Sequence, residues 1–264
     1  MELQKVGSKG QAVYDNQWRL KEHGYPILID GLYGRGMSRT VAAFQVSKGL
    51  PADGVIGPQT QTLLEGPTED AVALKRTDVT SAATAVKITP AHIMAILTIE
   101  SKGSGFIQGK AVILFERHVF YRELKRLGID PEPYVQSAPD ICNTVTGGYT
   151  GGLGEWQRLS KAVQINEEAA LSATSWGLFQ IMGNHWRTLG YSSVKDMVTR
   201  MATSEAAQLE VFTRFINANQ RMSESLRQKD WASFACAYNG ADYAKKQYDV
   251  KLETAFTTHA TYWS

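Results

Sequence analysis

Apolar positions in the first part of the chain fall on short helical stripes separated by glycine-marked turns. Val13, Trp18 and Leu20 belong to one helix that ends at Gly24. Val41, Ala43 and Phe44 form a second stripe within MSRTVAAFQVSKG, with Gly49 just past its end, and Pro58 opens a short third helix through Leu63 and Leu64. Two Asp-Gly turns, in IDGLYG and ADGVIG, join these helices, because Asp tolerates and Gly supplies a positive φ. The pattern predicts a small three-helix domain over residues 1–66. Gly66-Pro67 breaks it, and the polar residues 67–77 read as a linker. Asp78 is then placed to cap a helix through Ala82, Ala83 and Val86, opening a second domain over residues 78–264.

Within that second domain, Thr89-Pro90 is a helix start, with Thr as N-cap and Pro at the first helical position. Ile93, Ile96 and Leu97 lie seven, four and three residues before Glu100, so the carboxylate stands on the face that the helix buries. Burial raises a carboxyl pKa and lets Glu hold a proton near neutrality, as a general acid must. The alternatives are a Glu paired with Arg or one frayed into solvent. Gly103 and Gly105 are expected to end the helix and to open a cleft over Glu100. AVILFERHVF reads either as a strand or as the start of a helix through Tyr121 and Leu124, and it carries a second carboxylate, Glu116. The fold class is therefore mainly α, with at most a short β-hairpin.

Composition narrows the function without naming it. With 28 basic and 26 acidic residues the net charge is +2, which gives no electrostatic case for nucleic acid or an anionic membrane. The two cysteines, Cys142 and Cys236, have no CxxC spacing and read as free thiols. The five histidines are scattered without HExxH, so neither a metal nor another cofactor is expected. MELQKVGSKG lacks a signal-peptide core, and no later stretch approaches the roughly 20 apolar residues of a membrane span.

Two further segments place polar side chains at the ends of apolar runs. SWGLFQIMGNHW carries Gly177 and Gln180, and an amide among Leu178, Phe179 and Ile181 needs partners that either a sugar or the backbone could supply. FACAYNGADY carries Tyr238 and Asn239.

Taken in order, these motifs resemble known families. VGSKGQAV, NQWRLKEHGY, DGLYG, TVAAFQ and GLPADGVIGPQTQTLL resemble a peptidoglycan-binding domain, which implies wall binding by residues 3–64. IESKGSGF, GLFQI and AYNG are similar to the lysozyme-like superfamily, especially goose-type lysozymes and soluble lytic transglycosylases. With VILFERHVFYREL and GGYTGGLGEWQRLSKA added, the chain looks closer still to the N-acetylmuramidase domain of modular phage endolysins.

The resemblance implies a lysozyme-like domain that cleaves the β-1,4 bond from N-acetylmuramic acid to N-acetylglucosamine. It puts the catalytic Glu at Glu100, Gly177 and Gln180 along the substrate cleft, and Tyr238 and Asn239 near the reacting sugar. Glu116 is the first candidate for a second carboxylate, with Asp140 and Glu155 behind it. It further implies a monomer that gathers in the host bacterial cytoplasm and acts on the wall, its partner, after inner-membrane permeabilisation. A lytic transglycosylase forming 1,6-anhydro ends, or an inactive wall-binding phage structural protein, is the alternative.

Overall fold

The computed structural model describes residues 3–68, 70–101 and 103–263, without the side chains of Ala241 and Asp242. The chain forms two compact units, one from Met1–Gly103 with Gln220–Ser264 and the other from Ser104–Asn219.

The first unit begins with α1 (Gln11–Glu22), α2 (Arg35–Ser47) and α3 (Pro58–Leu64). They close over Val13, Leu20, Tyr33, Met37, Val41, Phe44, Ile56 and Leu64. The Asp-Gly turns are structural, and each is held by a buried glutamine. Gln17 accepts from the Asp30 and Gly31 amides (2.9 and 2.7 Å) and donates to Asp30 Oδ1 and Leu32 O. Gln45 accepts from the Gly54 amide (2.9 Å) and donates to Asp53 Oδ1 and Val55 O. A Cβ at Gly54 would meet Ser38 Oγ at 2.5 Å, so the second turn needs glycine for space as well as for its φ of +65°.

Next come α4 (Arg76–Val86) and α5 (Pro90–Glu100). Asp78 is not the N-cap of α4. Lys75 holds that position, and Asp78, three residues on, accepts from the Lys75 amide at 2.9 Å. Thr89 and Pro90 start α5 as expected. Every residue from Ala91 to Leu97 is buried, so α5 is a core helix all round and not one with a single inward face. It ends before either glycine, at Ser101, whose extended backbone breaks the helical run.

The second unit opens with the hairpin of β1 (Phe106–Ile107) and β2 (Lys110–Ala111), turned through Gln108 and Gly109 at positive φ. β3 (Ile113–Phe115) follows, then α6 (Arg117–Arg126), α7 (Glu132–Ser137), α8 (Gly154–Ile165) and α9 (Glu167–Ser172). β4 (Thr174–Trp176) and β5 (Ile181–Met182) join β3 in an antiparallel sheet of order β3-β4-β5, with Ile113 opposite Trp176 and Ser175 opposite Met182. The β content therefore exceeds the single hairpin expected. Strands of two or three residues are too short to show an alternating pattern. α10 (Val194–Met201) and α11 (Glu205–Ala218) complete the unit, where Phe212 stacks on Phe179 at 4.0 Å.

The chain returns to the first unit with α12 (Gln220–Gln228), α13 (Trp231–Asn239) and α14 (Tyr248–Ala260). α14 packs along α5, and the rings of His92, Trp231 and Phe256 form a mutually contacting cluster. Tyr262 stacks on Tyr14 of α1 at 4.3 Å. Among the described residues no single helix is long and apolar enough to cross a membrane.

Candidate active site

Glu100 is the last residue of α5 and is half-buried. Burial raises its carboxyl above the ordinary range, while the amide of Asn239 and the positive charge of Lys246 pull it partly back. Asn239 Nδ2 donates to Glu100 Oε1 at 3.1 Å from the end of α13. Tyr238 stacks on Phe234 at 5.7 Å, and its hydroxyl is held far above the ordinary phenol value by burial and then by the nearby Glu100 carboxylate. The first unit thus brings together Glu100, Tyr238 and Asn239, joined by Lys246. A carboxyl whose pKa is raised by burial, with one oxygen oriented by an amide, is equipped to donate a proton.

Glu116, in the second unit, is the residue before α6. Tyr149 Oη donates to both of its oxygens (3.1 and 2.8 Å), and His118 Nδ1 lies 3.3 Å from Oε2. Tyr149 is thus its hydrogen-bond partner and His118 stands at ion-pair distance, while its neighbour Arg117 turns elsewhere. Arg117 instead donates to Pro139 O, Val145 O and Thr146 O, which fixes the loop carrying Tyr149.

The other two acidic candidates have different work. Glu155 is fully buried. Burial pushes its pKa up, but the amides of Gly151, Thr150 and Phe115 and the guanidinium of Arg158 outweigh it and hold the carboxyl below its usual value. It is an ionised hub that moulds the glycine loop, closed to water. Asp140 pairs with Lys161 at 2.9 Å on the surface.

Gly177 and Gln180 lie on one turn between β4 and β5. Gln180 donates to Gly177 O (2.8 Å) and Val112 O (3.4 Å) and accepts from Ser175 Oγ (3.1 Å), so its amide has the backbone partners that the sequence left open. A Cβ on Gly177 would lie 2.5 Å from the Gln208 side chain, which is fully buried and donates to Gly105 O and Met201 O while accepting from the Leu178 amide. Tyr149, Lys246 and Gln208 were not singled out from the sequence. Only the glycines around Tyr149 hinted at any of them, since the other two matter through contacts distant along the chain.

The comparisons with known proteins bear on both parts of the chain. Residues 89–260 match the N-acetylmuramidase model, and residues 9–64 match that of a putative peptidoglycan binding domain. The chain belongs to the N-acetylmuramidase family. Among solved structures, the Burkholderia AP3 phage endolysin is similar at 42% identity, covering 98% of this chain and 99% of that one, with a TM-score of 0.73. A fused Zn-dependent amidase/peptidase/peptidoglycan-binding domain-containing protein from Clostridium acetobutylicum ATCC 824 is 31% identical over 33% of this chain and 42% of that one, with a TM-score of 0.26. No curated protein matches. The muramidase match takes in Glu100, Glu116, Gly177, Gln180, Tyr238 and Asn239.

Proposed function

We infer that this enzyme is a modular phage endolysin that holds bacterial peptidoglycan through its N-terminal helices and hydrolyses the β-1,4 bond between N-acetylmuramic acid and N-acetylglucosamine. The observation that carries the reading is the raised carboxyl of Glu100 beside Asn239 in a chain of the muramidase family. Protonated Glu100 gives its proton to the glycosidic oxygen as the bond to the anomeric carbon breaks and an oxocarbenium-like sugar forms. The bonding electrons leave with the oxygen, and water completes the hydrolysis. Asn239, through Oε1, orients the carboxyl, and burial keeps its pKa up.

Glu116 is proposed as the second carboxylate, guiding that water. Its support is a fixed orientation, since Tyr149 Oη donates to both oxygens. Gly177 and Gln180 are proposed to present their turn to the glycan. The domain division 1–66, 67–77 and 78–264 is supported by family matches that stop at residue 64 and resume at residue 89. The substrate lies beyond the inner membrane. The enzyme is therefore proposed to gather in the host cytoplasm and meet the wall once another protein has opened that membrane.

Digestion of purified peptidoglycan, with the fragments weighed, tests the reaction. Reducing-end muramic acid is expected, whereas 1,6-anhydro ends would assign a lytic transglycosylase and intact glycan an inactive wall binder. Glu100→Gln should lower the rate by about 10²–10⁴ with an unchanged circular dichroism spectrum.

A further inference from the structure

α1 has two buried faces. Val13 and Leu20 point into the N-terminal core, while Tyr14, Trp18 and Lys21, spaced i, i+4 and i+7, form a separate buried stripe. We propose that this second stripe makes the wall-binding helix a positioning element for the proton donor, gripping the chain on both sides of Glu100. The inference rests on the reading of Glu100 as the general acid.

The grip before Glu100 runs through four side chains. Trp263 Nε1 donates to Tyr14 Oη at 2.7 Å, which leaves the Tyr14 proton for His259 Nδ1 at 3.0 Å. That assignment puts the imidazole proton on Nε2, which donates to Thr98 Oγ1 at 2.8 Å, two residues before Glu100. Each donor then has an acceptor, so the relay has one sense from the C-terminus through α1 to α5. The grip after Glu100 is direct. Lys21 Nζ donates to Gly103 O at 3.0 Å, from an ammonium group on a side chain only 8% exposed.

Between the two grips the contact is hollow. A cavity of about 250 Å³ is lined by Trp18 and Lys21 on one side and by Leu97, Thr98, Ser101 and Gly103 on the other. The polar links therefore bridge α1 and the end of α5 beside that open pocket. A helix terminus needs such links, because its last carbonyls lack intrahelical partners and its final residues fray. Glu100 is that final residue. The Asn239 amide fixes the carboxyl's orientation, and α1 fixes the backbone that carries it.

The module then affects chemistry even when it holds no wall. The test measures kcat and KM on soluble, uncrosslinked glycan fragments, together with pelleting on whole peptidoglycan, for the full chain. Tyr14→Phe and Lys21→Met each remove one link, and their combination is expected to lower kcat about tenfold with KM within about twofold and pelleting unchanged. His259→Leu should lose kcat similarly, and His259→Gln, which keeps one acceptor and one donor, should recover most of it. Should His259→Leu fail to fold, the Tyr14 and Lys21 variants decide. Glu100→Gln is assayed in parallel. Parental kcat in the double variant beside an inactive Glu100→Gln would overturn the positioning role alone, whereas an active Glu100→Gln would overturn the reading beneath it.

Discussion

Glu100 is tuned by opposed influences that can be removed one at a time. Burial raises its pKa, and Asn239 and Lys246 each lower it. Activity that needs the protonated carboxyl is lost as pH rises through that pKa, so a substitution that raises it moves the alkaline limb of kcat/KM to higher pH. Asn239→Leu and Lys246→Met should both shift the limb upward, and a shift towards acid in either would contradict the electrostatic account. Glu116→Gln tests the second carboxylate, with a fall in kcat expected and product anomers read by NMR. Glu100 stood out in the sequence because a charge follows an apolar stripe. The stripe singled the residue out by an incomplete argument, since α5 is buried on every side from Ala91 to Leu97. Asn239 was found by its motif. Lys246 was not, because no local pattern shows that a lysine in the segment before α14 lies near the end of α5.

At the scale of elements, the α5/α14 pair holds two neutral histidines. Burial, with Lys229 nearby, lowers His92 to about 4, and burial lowers His259 to about 4. Both folded-state values lie below the ordinary imidazole pKa near 6.5, so between pH ~6.5 and ~4 the unfolded chain binds protons that the folded chain refuses. Their stability is complete above that window and lost on acidification through it, at most roughly 3 kcal/mol for each. The melting temperature should fall steeply from pH 6.5 to 4.5, and His259→Gln should flatten the slope. A flat profile in the parent would rule the account out. In the N-terminal helices, Gln45→Ala leaves the Gly54 amide without its acceptor and should cost about 1–3 kcal/mol by chemical denaturation. The helices and Asp-Gly turns were legible because period and turn chemistry are local. The glutamines that brace those turns, and the three-stranded sheet, were not. Their partners are distant along the chain, and each strand spans three residues or fewer.

At the scale of the molecule, wall-binding helices and catalytic helices share one compact unit. Arg76 ties them further, pairing with Asp15 at 2.8 Å and lying 4.6 Å from the Trp263 ring centre. The N-terminal helices and α14 should therefore melt in a single calorimetric transition, and a separate, earlier transition for the N-terminal part would contradict this. The sequence suggested a linker, because Gly66-Pro67 and a polar run mark a break in pattern. Such a break does not tell whether the flanking parts go on to pack together.

Trp18 and Trp263 meet edge to face, 6.1 Å apart and 87° inclined. Two indoles so close couple their electronic transitions, giving the docked state a near-ultraviolet dichroic band that separated rings would lack. Subtracting the spectrum of Trp263→Phe should isolate that band, and its loss during a thermal ramp would time the release of α1 without any added label.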